Sequence, residues 1–368
     1  MTDTSVSYIK NDSKSLLLTL VINNICTNKC RYCPPSLWSG TNHHYEQEKL
    51  ISFIKRLQST YPSITCSISG GEPTVSPFFP DVVKLIYDGN GTCTVTTNGA
   101  RTKRYWDNVA PYCGHISWSY HCAMLDEDKE DEWIDKVEHC TQYTGCSIRV
   151  MMDSDRWDRC VRFWEKLKNK GTVSFEAVRI YEEQANAENV GANYTPEMEE
   201  WLKNNSAVIQ ALPYMYAVKD KRFRPADINS TVYRRDGSVE RRADLNKIVM
   251  NQENDFRGWA CNIGLESLFI HFNGYVKKGN CFQGGDLFHL NDHEFYNLPD
   301  NAEICTQKRC LCTTDVNITK FPIFDKNTSL YKNTFGESNV LTTAGPKSKS
   351  QYDLDRRIEN IIRLKNIT

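Results

Sequence analysis

The sequence predicts an α/β protein organised on a parallel sheet, and three observations predict it. Six short apolar stretches recur between residue 16 and about residue 180, amphipathic stretches separate them, and glycine or capping residues mark the joins. Leu16–Ile22 is the first strand. Leu50, Ile54 and Leu57 then fall on one helical face, and Ile64–Ser69 is the second strand. Val82, Val83, Ile86 and Tyr87 form a helical stripe ending at Gly89, before a third strand at Cys93–Thr97 and a fourth at His115–His121. Trp133, Val137 and Cys140 make the next helix, and Ser147–Met152 the fifth strand. Trp157, Val161, Trp164 and Leu167 repeat at helical spacing between a Ser154 or Asp155 cap and Gly171, and Val173–Ile180 closes the series. Strands alternating with helices imply right-handed crossovers between parallel neighbours. Such sheets place ligands at the carboxyl ends of their strands.

Bulk properties bound the function classes. The chain has 368 residues, 40% apolar and 25% charged, which describes an ordinary soluble protein long enough for two domains. Lys+Arg 45 against Asp+Glu 46 argues against duplex nucleic acid or an anionic membrane as main partner, since both reward a basic surface. Leu16–Ile22 is too short to span a bilayer. The polar start Met-Thr-Asp-Thr-Ser-Val-Ser lacks the basic region of a signal peptide. Fifteen cysteines, an odd count in a large chain, therefore fit metal-bound thiolates in a reducing, cytoplasmic setting better than a disulfide framework.

Cys26, Cys30 and Cys33 form a C-x3-C-x2-C triplet directly after the first strand. Iron–sulfur clusters usually take four cysteines, so three thiolates leave one iron open to another ligand. A structural zinc site is the alternative, with His43 or His44 as fourth ligand. Tyr32 adds an aromatic beside the last cysteine. After the second strand comes Ser69-Gly70-Gly71-Glu72-Pro73-Thr74, where Gly70 and Gly71 permit close backbone approach and Glu72 offers a carboxylate to an ammonium group. Cys26–Cys33 together with Gly70-Gly71-Glu72-Pro73 resembles the radical S-adenosylmethionine (radical SAM) superfamily. The resemblance implies a [4Fe-4S] cluster on Cys26, Cys30 and Cys33 whose open iron is chelated by SAM, with the methionine amino group held by the Gly-Gly-Glu-Pro segment. It also implies an open, partial (β/α)6 barrel, and a contact from Ser119, at the end of the fourth strand, to SAM; His121 is a weaker candidate. Thr96-Thr97-Asn98-Gly99 resembles a common turn of the family.

A second group, Cys261, Cys281, Cys305, Cys310 and Cys312, surrounds a hairpin-like stretch with Asn273-Gly274 as its turn. This resembles the SPASM/twitch extension of radical SAM enzymes, a small C-terminal auxiliary iron–sulfur domain. Five cysteines suffice for one auxiliary [4Fe-4S] cluster, with Cys305 the weakest candidate among its ligands. The C-x2-C knuckles of a zinc ribbon are absent. The expected organisation is a core barrel over 1–205, a linker or substrate-covering segment over 206–260, the SPASM/twitch-like domain over 261–315, and a tail over 316–368 with a terminal helix at Tyr352–Leu364. Thr195-Pro196-Glu197 opens a further helix. Arg149 is a candidate for pairing with a carboxylate inside the barrel, and Cys122 for a catalytic thiol. Cys66, Cys93, Cys113, Cys140, Cys146 and Cys160 read as core residues.

The resemblance implies an enzyme that cleaves SAM to a 5′-deoxyadenosyl radical and abstracts hydrogen from a peptide, protein side chain or small metabolite, fed by a one-electron donor such as flavodoxin or ferredoxin. A non-catalytic iron–sulfur or zinc protein is the competing class, and a nucleoside the alternative substrate.

Overall fold

A computed structural model describes residues 3–40, 45–180, 193–211, 218–292, 298–310, 312 and 314–322. The terminal helix expected at Tyr352–Leu364 and the residues His43 and His44 lie outside the described residues. In chain order the strands are β1 Val6–Asn11, β2 Leu16–Val21, β3 Ile64–Ser69, β4 Thr92–Thr97, β5 His115–Tyr120, β6 Gly145–Met152 and β7 Ser174–Arg179. They continue with β8 Ser230–Arg234, β9 Val239–Glu240, β10 Trp259–Cys261, β11 Ser267–Ile270, β12 Tyr275–Lys277, β13 Asp286–His289, β14 Glu303–Ile304 and β15 Lys320–Pro322. The helices are α1 Gln47–Thr60, α2 Phe79–Asp88, α3 Lys103–Val109, α4 Glu130–Cys140, α5 Trp157–Lys170, α6 Pro196–Asn205 and α7 Leu245–Met250.

β2 to β7 lie side by side in sequence order and all parallel, the (β/α) arrangement that the alternating pattern predicts. One face of this sheet carries Cys66, Ile68, Cys93, Val95, Ile116, Trp118, Ile148 and Val150, packed under the buried stripes of α1, α2, α4 and α5. Trp106, Trp118 and Trp133 pack in series beneath α3 and α4, with ring centroids 4.9 and 6.1 Å apart. The expected core cysteines, Cys66, Cys93, Cys113, Cys140, Cys146 and Cys160, are all buried. Gly171 ends α5 at φ 62, a conformation that glycine adopts without Cβ strain. Thr195 caps α6 by accepting from the Met198 N–H.

Three features depart from the expected organisation. The sheet does not stop at β2: β11 pairs with it in parallel, Ser267 to Ile270 against Leu17 to Leu20, and β12 and β13 extend the edge to nine strands. The hairpin assigned to an auxiliary domain is thus continuous with the barrel sheet. Its turn is also longer than Asn273-Gly274, since the Gly274 N–H bonds the His271 carbonyl and only Gly274 takes a positive φ, 87. Residues 206–260, expected as a linker or cover, contribute β8, β9, α7 and most of β10. These join β14, β15 and β1 in a second sheet of order β14-β10-β15-β1-β8-β9. β1 and β15, one before the first expected strand and one inside the expected tail, are neighbours at its centre. Pairing between residues more than two hundred positions apart leaves no local period to read, which is why the pattern missed it.

Candidate cofactor-binding site

The cysteine loop leaves the carboxyl end of β2 and is pressed onto the loop after β3. The Gly71 N–H bonds the Asn23 carbonyl at 3.0 Å, the Glu72 N–H bonds the Ile25 carbonyl at 2.7 Å, and Asn23 Nδ2 donates to the Glu72 carbonyl at 2.9 Å. Packing is so close that a Cβ at Gly71 would lie 2.3 Å from the carbonyl oxygens of both Ile25 and Leu37; one at Gly70 would lie 2.8 Å from that of Asn23. The glycines are therefore required by the protein's own loop. Sequence reasoning assigned their open space to a ligand.

Glu72 is buried, and its carboxylate is already occupied within the protein. Oε1 accepts from the Thr74 N–H at 3.1 Å, the Thr74 hydroxyl at 2.7 Å and the Thr97 hydroxyl at 2.9 Å, while Oε2 accepts from the Asn98 N–H at 2.7 Å. Four donors leave room beside Oε2 for one further donor, given the lone-pair capacity of a carboxylate. Asn98 Nδ2 in turn donates to Thr27 Oγ1 at 2.9 Å and to Cys26 Sγ at 3.7 Å. The turn Thr96-Thr97-Asn98-Gly99 thus ties the Gly-Gly-Glu-Pro segment to the first cysteine, a role that spacing alone does not reveal. Its outer side is fixed by Trp133 Nε1 on the Asn98 carbonyl and Lys136 Nζ on the Gly99 carbonyl.

The far end of the loop is anchored across the barrel mouth. Tyr32 Oη and His121 Nδ1 share a hydrogen bond of 2.7 Å, and burial lowers the His121 pKa to about 4, so the ring is neutral at physiological pH. Arg31 reaches Asp153 at 2.5 Å and also pairs with Asp155, both beyond β6. Trp38 Nε1 donates to the Cys33 carbonyl at 3.2 Å. Ser119 is buried at the end of β5, in register with Arg149, whose Nε bonds Glu176 at 2.7 Å. Cys122 is buried and accepts a hydrogen bond from Cys160 Sγ at 3.3 Å, a contact that lowers its pKa.

Burial raises the Cys26 thiol, with Glu72 adding to it, and pushes Cys30 to about 12 and Cys33 to about 11; Cys26 raises both of these further, and Cys33 raises Cys30. Such thiols stay protonated unless a metal takes them as ligands. Two N–H groups already aim at Cys26, from Asn28 at 3.3 Å and Asn98. Among the described residues no three Cys, His, Asp or Glu side chains converge on a point as the ligands of a single ion do. A donor set of thiols alone, with N–H groups on sulfur, fits an anionic iron–sulfur cluster.

The second group assembles around β10. Cys261 ends that strand; Cys305 pairs with it by backbone, its N–H on the Trp259 carbonyl at 2.8 Å. Cys281 follows β12, with its N–H on Asp315 Oδ2 at 2.8 Å. Asn254 fixes Cys310 through reciprocal backbone and side-chain bonds of 3.0 and 3.1 Å. Cys312 Sγ accepts from Asn280 Nδ2 at 2.9 Å. Burial raises Cys261 to about 11 and Cys281 to about 12, and both feel the Cys305 thiol; Cys310 feels Cys261 and Cys281. Cys305 packs against the core cluster that contains Cys310, and Cys312 lies beside Asp315 and Asn280.

No helix among the described residues is long and apolar enough to cross a membrane. Among curated proteins, the chain is similar to a GTP 3′,8-cyclase of Haemophilus ducreyi, 34% identical over 100 residues, which cover 25% of this chain and 29% of that protein. Among solved structures it is similar to anSMEcpe with bound AdoMet and a Kp18Cys peptide, with TM-score 0.45, 16% identity, and 75% of this chain and 77% of that one covered. It is likewise similar to Streptococcus suis SuiB bound to S-adenosylmethionine, with TM-score 0.45, 15% identity and coverage of 74% and 62%. The Radical SAM superfamily model matches residues 20–171, the stretch from β2 through α5 that holds both motifs. Residues 20–171 of this chain thus match a radical SAM domain.

Proposed function

We propose that the protein is a radical SAM enzyme that abstracts hydrogen from a small or peptide substrate. The observation that carries this reading is the docking of the Cys26–Cys33 loop onto Gly70-Gly71-Glu72-Pro73 through Asn23, Ile25 and Asn98, at the carboxyl ends of β2, β3 and β4. Bound there, a [4Fe-4S] cluster with SAM at its open iron would supply the electron that cleaves the sulfonium and yields a 5′-deoxyadenosyl radical. The chain's own residues do the rest. Cys26, Cys30 and Cys33 give up their protons to become ligands. Glu72 sets the loops that would frame the methionine end, and Oε2 keeps capacity for one further donor such as an amino group. Tyr32, hydrogen-bonded to His121, would shield the cluster side, and Ser119, near the end of β5, would be available to contact SAM. Cys261, Cys281, Cys305, Cys310 and Cys312 supply four ligands for one auxiliary [4Fe-4S] cluster.

A specific observation bears on the substrate. The sheet face away from the helices carries Thr19, Ser67, Thr94, Ser117 and Ser147 in neighbouring registers, with His115 on Ser147 at 2.9 Å. Buried Ser117 Oγ has no hydrogen-bond partner among the described residues. A wall of hydroxyls favours a hydrogen-bonding small molecule, such as a nucleoside, over an apolar side chain. Arg149, on the same face, pairs with Glu176.

The test is anaerobic reconstitution followed by assay of SAM cleavage with dithionite. Wild type is expected to release 5′-deoxyadenosine, with the yield raised by a nucleoside more than by a peptide. Cys30→Ala is expected to release none, and full product from that variant would reject the reading.

A further inference from the structure

Lys320 is a buried lysine that the proposed radical chemistry leaves unexplained. It is 2% exposed, in the middle of the second sheet. Its ammonium points along the loop that follows Cys312: it bonds the Asp315 carbonyl, the Ile318 carbonyl at 3.1 Å and the Val316 carbonyl at 3.4 Å. All three partners are neutral, so hydrogen bonding is satisfied while the charge is not. Burying an uncompensated ammonium costs several kcal/mol, so a lysine so placed requires anions nearby.

The anionic groups at hand are the thiols of the second cysteine group and two carboxylates beside them. Lys320 is the cross-strand partner of Cys261 in the β10–β15 ladder, and directly opposed residues present their side chains on one face. Its charge acts on the thiols of Cys261 and Cys310 and opposes the rise that burial gives them. Two carboxylates share the space. Asp315 holds the Cys281 N–H, and Glu266 accepts from Asn262 Nδ2 at 2.9 Å and from the Thr319 N–H at 3.0 Å. Burial holds the Asp315 carboxyl above its usual range. Four thiolates around an iron–sulfur core carry net negative charge in either redox state. Potential in such clusters follows net charge, hydrogen bonds to sulfur and solvent exposure. A fixed cation within a dry pocket favours the more negative, reduced form.

We propose that Lys320 is the buried counter-charge of the second iron–sulfur cluster and raises its reduction potential. The inference rests on the reading that Cys261, Cys281, Cys305, Cys310 and Cys312 hold such a cluster. Lys320 is a positioning residue by this account: it touches neither substrate nor SAM.

The test uses the full chain with Cys26, Cys30 and Cys33 all replaced by alanine, so that only the second cluster remains. After anaerobic reconstitution, iron and sulfide are counted and the midpoint potential is read by an EPR-monitored redox titration. Lys320→Met is expected to keep iron and sulfide but lower the midpoint, with Lys320→Arg restoring it towards the parent. Because Lys320 also holds three carbonyls, Glu266→Gln supplies a second arm: it leaves those bonds in place, removes a neighbouring anion and is expected to raise the midpoint. An unchanged midpoint in iron-replete Lys320→Met overturns the proposal. So does an unshifted Glu266→Gln where Lys320→Met loses its iron. Absence of iron and sulfide from the parent is a separate failure: it rejects the cluster itself and takes this proposal with it.

Discussion

At the residue scale, the site rests on polar groups whose partners lie on other elements. Glu72 shows this best. Read from sequence it offers a carboxylate to a ligand; in the fold it first holds Thr74, Thr97 and Asn98. Replacing the charge while keeping the shape leaves buried donors facing an amide. Glu72→Gln is therefore expected to lower the stability of the metal-free protein by roughly 2–3 kcal/mol, read by urea denaturation. A loss below about 0.5 kcal/mol would show that the carboxylate is not the hub. His121 gives the pH dependence. Its folded pKa, about 4, lies below the unfolded value near 6.5, so the unfolded chain binds the proton first. Stability from this group is present above pH 6.5 and is lost as pH falls from there towards 4, by roughly 3 kcal/mol in all. His121→Asn should flatten that part of the stability–pH curve in circular dichroism titrations.

At the element scale, the six core strands and the helices α1, α2, α4 and α5 were legible because each carries its own period. Leu50, Ile54 and Leu57 on α1, or Trp164 and Leu167 on α5, repeat at helical spacing and are buried as that spacing requires. α3 was missed: with seven residues it is too short to declare a stripe, and only Trp106 and Val109 are buried on it. The two motif loops are a different matter. Their residues were visible, but their mutual fit was not, since the close approach at Gly71 depends on Ile25 and Leu37. Gly71→Ala is expected to push the cysteine loop away from β3 and to cost about 1–3 kcal/mol, as overpacking does. Reconstituted iron should fall in that variant while far-ultraviolet circular dichroism stays the same. Normal iron content would mean that the loop has slack that the geometry denies.

At the scale of the whole molecule, two sheets share the chain in an order that sequence does not announce. β1 stands between β15 and β8, so the second sheet depends on residues at both extremes of the described chain. Ile9, fully buried on β1, anchors this arrangement, and Ile9→Ala is expected to cost about 2–5 kcal/mol, read by urea denaturation. Since Cys261 lies on β10 of the same sheet, the variant should also bind less iron at the second group while the first stays loaded. By itself the sequence determined the parallel core, the cysteine triplet and the glycine-rich segment, because local period, spacing and residue chemistry are written along the chain. Only the tertiary structure decided that β11 extends the barrel sheet, that Asn98 joins Glu72 to Cys26, and that Lys320 stands among the second set of thiols. Those facts come from long-range pairing, where closure entropy and packing choose partners that no neighbouring residue can specify.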